Sequence, residues 1–238
     1  ANLYEADMRQ GKTGALGPSS PFRNFPGKIG PTDLSTALLA SANLEGSKMC
    51  GVVAVQGDFS QAILWRCDLS RAQLRLTNFS GANLERCILT GSDFTGANLR
   101  DSVLVGTDSQ NAILDQADLA GALTDAVTSK AARDLPRPIK EILDDHAAWA
   151  ETEGEEGLPA DLSGVDLRSV TNLKHRNLNA LLASGAIFYG LDLSGAQLQG
   201  AQLEGADLRF ACLHRANLRG ANLRGARLNN TDLRDADL

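Results

Sequence analysis

The sequence predicts an all-β solenoid in two segments that are joined by a short α-helical linker. The first observation behind this prediction is a five-residue repeat. Large apolar residues recur at every fifth position through most of the chain, and a small side chain stands two positions before each of them. The second observation is a break near the middle of the chain, where the spacing of apolar residues becomes helical. A repeat of fixed period is typical of solenoids, in which each unit contacts only its neighbours.

Composition and charge exclude several other classes of protein. The chain has 238 residues, 43% of them hydrophobic and 22% charged, which is too apolar for a disordered chain. The longest nearly apolar stretch, residues 180–191, is shorter than the roughly 18 residues of a membrane helix, so no membrane contact is predicted. The net charge is −6 and its imbalance lies in residues 134–167, which hold ten acids and two bases. No basic stripe for nucleic acid is present, and none is predicted as a partner.

The first predicted β-segment covers residues 1–133. From Leu34 to Leu119 the repeat has 18 central positions, of which 16 are Leu, Met or Phe, with Ala54 and Ser109 as the exceptions. In an extended segment the centre and the small residue two before it share one face, so both should point inward. Glycine is enriched two residues after the centre, where a tight turn favours positive φ. An α-solenoid is excluded, because a helical face needs a period near 3.6.

An insertion interrupts this segment at residues 9–31. The insertion is rich in Gly and Pro and is predicted to be a loop. Loops longer than about 15 residues are usually functional or disordered. Its only aromatic residues are Phe22 and Phe25, for which two interpretations stay open. In the favoured interpretation, the two rings fold back onto the coil wall or cover the open end of the coil. In the other, they bind a partner.

The predicted linker is the acidic segment 134–159. Pro138 can occupy the first turn of a helix, and the apolar residues after it follow helical spacing as far as Trp149. We therefore predict an amphipathic helix over about 138–152. The expected role of this helix is to cover an apolar coil end, and the alternative is a docking site in which Trp149 contacts a partner.

The second predicted β-segment covers residues 160–238. All eleven centres from Phe188 to Leu238 are Phe or Leu. The beginning of the segment is less regular, because the register slips by one residue between Leu167 and Leu173. The sequence thus predicts a second β-solenoid whose first coil is irregular.

The run ADLRF-ACLHR-ANLRG-ANLRG at residues 206–225 resembles the pentapeptide-repeat family, whose motif is small–Asp/Asn–Leu–x–x. The resemblance implies a right-handed quadrilateral β-helix with four repeats per coil, so that residues 20 positions apart stack. Phe59 and Phe79 should then stack as inward rings. Four polar residues should form an outward ladder at the same spacing: Asp58, Asn78, Asn98 and Asp118.

No catalytic, cofactor or metal site is predicted. The three histidines are dispersed, and Cys67 and Cys87 fall in the inward small position, where buried thiols behave as small apolar groups. The carboxylates lie in outward positions with no apolar pocket to raise a pKa. A core filled by aliphatic side chains should leave no cavity for a substrate. The sequence therefore predicts a protein that is not an enzyme and needs no cofactor.

The predicted function is a rigid scaffold for protein–protein interaction, with a protein partner that the sequence does not identify. Trp65, in an outward position, joins Phe22, Phe25 and Trp149 as a candidate partner-binding residue. The resemblance also implies an alternative, because some pentapeptide-repeat proteins mimic duplex DNA with acidic faces and bind DNA gyrase. The acids gather in the linker here rather than along the coils, which argues against that alternative.

Two further expectations concern assembly and compartment. A β-helix end without a cap exposes strand edges, so a homodimer through such an end is expected as one way of covering it. The first residues carry two acids and no apolar run, and the four cysteines are too scattered for a disulfide framework. Both features favour a cytoplasmic location.

Overall fold

The computed structural model describes residues 2–9, 31–126, 130–171 and 173–238. The chain divides into two compact units, Ala1–Ala126 and Val127–Leu238. The predicted loop at 9–31 lies almost wholly outside the described residues, and so do Phe22 and Phe25. Each unit contains one β-helix.

The first unit is a β-helix in which residues 20 positions apart form parallel bridges, from Asp33 with Val53 to Val103 with Leu123. Four bridges occur in each 20-residue coil, one on each side of a four-sided cross-section. Residues 2–9 complete the first of five coils, because Asn2 bridges to Asn43 in the second coil. The insertion after residue 9 therefore lies within the first coil.

The turns between the sides explain where glycine occurs. The residue two positions after each centre has φ between +52° and +72°, a left-handed conformation that glycine adopts without steric cost. Leu76 occupies the same position with φ +57°. A non-glycine residue in this region costs about 1–2 kcal/mol. The turn at Leu76 is therefore stable only because its neighbouring coils fix it.

The centres fill the interior of the first β-helix. From the second to the fourth coil they are at most 3% exposed. Phe59 and Phe79 stack with ring centroids 5.2 Å apart, which confirms the stacking of residues 20 positions apart, and Phe94 packs on Phe79 at 5.6 Å. Dense packing of this kind is what holds a solenoid with few aromatic residues together.

The second unit begins with a short strand, a 3-10 helix and an α-helix before its β-helix. Strand β1 (Lys130–Ala131) runs parallel to strand β2 (Val165–Asp166), and a 3-10 helix (Ala132–Asp134) follows β1. Helix α1 spans Ile139–Glu151, close to the predicted 138–152. Helix α1 has 13 residues. No helix in the described ranges is both long enough and apolar enough to cross a bilayer.

Helix α1 packs on the first coil of the second β-helix. The His146 Nδ1 atom accepts the backbone N–H of Ala160 at 3.1 Å, and Asp144 pairs with Arg176 at 2.6 Å. Leu143 is 2% exposed within the same apolar cluster as the first-coil centre Leu162. The helix thus covers apolar surface that the first coil would otherwise expose.

The second β-helix has one longer coil. Asp161 bridges to Leu182 and Asp166 to Ile187, which are 21 residues apart, whereas every bridge from Asn177 onward spans 20 residues. One additional residue in the first coil therefore accounts for the predicted slip of register. Later coils are regular, as in the first unit.

Candidate interaction surfaces

Side-chain hydrogen bonds join three of the four residues of the expected polar ladder on the first β-helix, and Asp118 follows them by a backbone bridge with Asn98. The Asn98 Nδ2 atom donates to Asn78 Oδ1 at 3.1 Å, and Asn78 Nδ2 donates to Asp58 Oδ1 at 3.1 Å. Asp58 Oδ1 also accepts the backbone N–H of Ser60 at 3.0 Å. The bond from Ser60 and the amide of Asn78 lower the pKa of Asp58. This carboxylate is held ionised as a structural acceptor, which does not suit general acid–base chemistry.

Other outward carboxylates pair with cations on neighbouring coils. Arg100 contacts Asp118 at 3.0 Å in the first unit, and Lys174 contacts Asp192 at 2.9 Å in the second. The hydroxyl of Ser194 and then Lys174 lower the pKa of Asp192 to about 2. In these pairs each carboxylate lies beside a cation, so neither pair contributes to an acidic face.

Trp65 lies in an amphipathic patch on one side of the first β-helix. The guanidinium of Arg66 lies 5.1 Å from the centroid of the half-buried Trp65 indole ring. Tyr4 is 52% exposed on the same side, where a hydrogen bond with Glu5 raises the pKa of its hydroxyl and the charges of Glu45 and Arg66 also act on it. We call Tyr4, Glu45, Trp65 and Arg66 the Trp65 patch.

Trp149 is held by its own unit. Its ring stacks on His146 with centroids 5.6 Å apart and planes 23° apart, and it is half-buried. The backbone of Gly154 runs so close to the indole that an added Cβ would lie 3.2 Å from Nε1. Trp149 thus has a packing role at the end of α1, and only part of its ring faces solvent.

The cysteines at inward positions are buried, as predicted. Cys67 Sγ donates to the Leu44 carbonyl at 2.8 Å, and Cys87 Sγ donates to the Leu64 carbonyl at 2.9 Å. Burial raises the pKa of the Cys87 thiol well above its ordinary value. A neutral buried thiol is a poor nucleophile. In the described part of the chain, moreover, no group of three or more His, Cys, Asp or Glu side chains could hold a metal ion.

A buried ion pair was not predicted from the sequence. Asp207 and Arg209 are 4% and 1% exposed, although both occupy outward positions, and Arg209 Nε donates to Asp207 Oδ1 at 2.8 Å. A second hydrogen bond from Arg209 Nη2 makes the pair bidentate. The missed signal was an Asp-x-Arg motif that forms the same pair elsewhere: Asp7 with Arg9, Asp166 with Arg168, and Asp232 with Arg234.

The expectation of a core without cavities is wrong at the last coil of the first β-helix. A cavity of about 270 Å³ opens there, between Leu89, Phe94, Leu104 and Thr124. It forms because Ser109 stands where other coils have a large centre, so the interior is not filled. Ser109 is an exception in the repeat that the sequence shows, and a serine is too small to fill the position of a leucine.

Comparison with known proteins identifies the repeat. The family model described as pentapeptide repeats matches in eight copies, over residues 58–91, 92–122, 171–205 and 201–238. A search of curated proteins finds no match.

Three solved structures illustrate the similarity. HetL, a pentapeptide repeat protein involved in heterocyst differentiation regulation from the cyanobacterium Nostoc sp. strain PCC 7120, is 32% identical, with 86% of each chain covered and a TM-score of 0.32. A trypsin-treated form of QnrB1, a plasmid-mediated fluoroquinolone resistance protein, is 17% identical, with 87% of this chain and 89% of that chain covered and a TM-score of 0.35. Rfr23 from the cyanobacterium Cyanothece 51142 is 29% identical over 52% of this chain and 84% of its own, with a TM-score of 0.26. Because each TM-score is below 0.5, these superpositions add nothing to the assignment of the fold.

Proposed function

Because the chain belongs to the pentapeptide-repeat family, whose members form right-handed quadrilateral β-helices and are generally non-catalytic scaffolds, we propose that it is a scaffold that binds a protein partner. The observation that carries this proposal is the division of side chains between the interior and the surface. Ala62 and Leu64 are fully buried in the core, whereas their neighbours Trp65 and Arg66 face outward on the same rigid turn. A surface held so firmly loses little conformational freedom on binding.

The Trp65 patch is the proposed contact surface on the side of the first β-helix. Tryptophan and arginine are among the residue types most enriched at positions that dominate binding energy, and here the two lie side by side. Arg66 lies over the indole face, and this contact orders both side chains before a partner arrives. Trp149 is a secondary candidate, since His146 already covers part of its ring.

Capture from the native cell tests the scaffold function. The full chain is used as bait after cross-linking, and partners are quantified by mass spectrometry for the parent protein, Trp65→Ala and Ile88→Ala. Ile88 is a matched control because it is an apolar side chain that is 44% exposed outside the patch. We expect recovery to fall about tenfold for Trp65→Ala, as for a residue worth about 1.4 kcal/mol, and to stay unchanged for Ile88→Ala. Absence of any enriched protein would contradict the scaffold function, and equal recovery with Trp65→Ala would contradict the patch.

Binding to DNA gyrase is the weaker candidate. A DNA mimic needs carboxylates along its sides, but here some of them pair with cations, as in the Arg100–Asp118 and Lys174–Asp192 pairs, and most of the excess acids lie in residues 134–167. The likeness to the fluoroquinolone resistance protein adds no argument at 17% identity. A supercoiling assay with purified gyrase decides the matter. We expect no inhibition or protection at micromolar protein, and a clear effect would replace the general scaffold with this specific function.

A further inference from the structure

The last coil of the first β-helix has an incompletely paired edge, which we call the open edge (residues 107–121). Inside the β-helix, each side of a coil shares three backbone hydrogen bonds with the next coil. For example, Leu84 and Arg86 donate to Val103 and Val105, and Val103 donates back to Ala82. Among the described residues, the sides of the last coil at Leu114 and Leu119 lack these bonds. The unpaired groups, with no partner among the described residues, include the N–H groups of Leu114 and Leu119 and the carbonyls of Ala112 and Ala117.

The fourth side of this coil shows how such an edge is satisfied. Leu104 donates its N–H to the carbonyl of Leu123 at 2.7 Å, and the Asp125 carboxylate accepts the N–H of Gly106 at 2.8 Å. The sides at Leu114 and Leu119 have the same donors and acceptors, and no strand among the described residues pairs with them. Rows of unpaired N–H and C=O groups are templates for an added β-strand.

The open edge is also apolar. Leu114 and Leu119 are 39% and 38% exposed, whereas the centres of the second to fourth coils are at most 3% exposed. The 270 Å³ cavity beside Ser109 opens between them and gives room for an aliphatic side chain from outside. An added strand would therefore gain apolar contacts as well as hydrogen bonds, because alternate side chains of a strand point the same way.

The charge around the open edge selects the partner. Residues 101–126 contain five aspartates and no Lys, Arg or His. Asp118 pairs with Arg100 of the preceding coil, and the exposed carboxylates of Asp108 and Asp115 lie on the last coil itself. A two-fold dimer through this end would bring two copies of the same acidic rim together, which costs free energy. A basic segment would instead find complementary charge.

We propose that the open edge binds an extended, lysine- or arginine-bearing segment of a partner protein, which adds to the coil as a β-strand and inserts one aliphatic side chain beside Ser109. This inference rests on the proposed scaffold function and names a docking surface and a partner chemistry for it. It makes a homodimer through this end unfavourable.

A fluorescence-anisotropy titration of the full chain tests the proposal. The probe is a labelled peptide of about ten residues in which valine and lysine alternate, long enough for one strand. The matched control peptide has glutamate in place of each lysine. We expect the lysine peptide to bind, more weakly as salt is added, and the glutamate peptide not to bind.

Variants of the chain locate the binding. Asp108→Asn combined with Asp115→Asn removes two carboxylates while keeping their shape, and we expect affinity to fall about fivefold, as for two exposed charge pairs. Ser109→Leu restores the residue type of other centres, fills the cavity and should also weaken binding. Glu204→Gln, an exposed carboxylate of the second unit, is the matched control and should leave affinity unchanged. Circular dichroism confirms that each variant is folded.

Several results would overturn the proposal. They are no binding of the lysine peptide, equal binding of the glutamate peptide, or equal affinity of the Asp108→Asn/Asp115→Asn variant. Self-association in analytical ultracentrifugation that Ser109→Leu abolishes would assign the edge to a second copy instead. Equal capture of a cellular partner by the parent chain and the double variant would leave the scaffold function intact and reject only this docking site.

Discussion

Two glycines with positive φ, Gly157 and Gly200, differ in how closely other atoms approach them. Gly157 follows α1 with φ +73°, and an added Cβ would lie 2.1 Å from the Asp145 carbonyl oxygen and 2.9 Å from the Trp149 backbone nitrogen. Gly200 has a similar φ of +69°, but no atom lies within 4 Å of the same point. The first glycine is thus required by close approach and by φ, and the second by φ alone.

Substituting these two glycines separates the two requirements. We expect Gly157→Ala to lower the free energy of unfolding by about 3 kcal/mol or more, because backbone atoms must move as well as adopt strain. Gly200→Ala should lower it by about 1–2 kcal/mol. Urea unfolding of the two variants beside the parent chain measures both changes. Equal losses would show that the approach of Gly157 to α1 has no energetic consequence.

The ladder residue Asn78 gives a prediction with a pH dependence. Asn78→Asp removes the donor to Asp58 and places a second carboxylate at its 3.1 Å distance. Two carboxylates this close raise the pKa of the pair in the folded state, so stability should be retained near pH 4 and lost as pH rises to 7. We expect a loss of about 2–3 kcal/mol at pH 7.

Thermal unfolding at pH 4 and pH 7 checks this expectation. Asn222→Asp is the matched control, because the neighbour of Asn222 in its ladder is the amide of Gln202 rather than a carboxylate. A similar pH profile in both variants would contradict the proposed repulsion.

At the scale of elements, helix α1 depends on a buried histidine. His146 is fully buried, its Nδ1 accepts the N–H of Ala160, and burial lowers its pKa. Its folded-state pKa is therefore below the unfolded value of about 6.5. The contribution to stability is present above pH 6.5 and is lost as pH falls through the folded-state pKa.

Fluorescence can follow this element by itself. In a Trp65→Phe background the emission comes from Trp149, which stacks on His146. We expect the urea concentration at the midpoint of unfolding to decrease in the parent as the pH is lowered from 7.5 to 5. In His146→Phe, which keeps an aromatic ring but cannot titrate, the midpoint should not change with pH. His175→Asn changes an exposed histidine and should keep the parent's slope. An unchanged slope in His146→Phe would assign the acid sensitivity to other groups.

Most elements follow from local spacing, and the exceptions depend on contacts between coils. The five-residue period fixes the inward centres, and the spacing after Pro138 locates α1 to within a residue at each end. The burial of Arg209 could not be read from the same pattern, because an outward position is exposed or buried according to what covers it. The cavity at Ser109 could be predicted only in part. The sequence shows that a large centre is missing there, but not whether neighbouring side chains fill the space.

For the whole molecule, a repeat of this kind separates fold from function. Its core uses the same few side chains in every coil, so the fold can be predicted without any knowledge of a partner. In the proposed scaffold, partner choice depends instead on outward residues such as Trp65 and Asp115, which the repeat does not constrain. This is why the architecture follows from the sequence while the binding surfaces need the structure.

The stacking of residues 20 positions apart is the claim on which both β-helices depend, and engineered disulfides test it most directly. In a Cys50→Ser/Cys212→Ser background, Gln73→Cys is combined with Asp93→Cys, its bridge partner, or with Asn98→Cys, which is 25 residues away. Strand neighbours lie about 4.8 Å apart, within the range that a disulfide spans. Mild oxidation of the folded protein, followed by peptide mapping, should give a cross-link between 73 and 93 and none between 73 and 98. A cross-link between 73 and 98, or failure of the 73–93 pair to oxidise, would contradict the four-repeat coil.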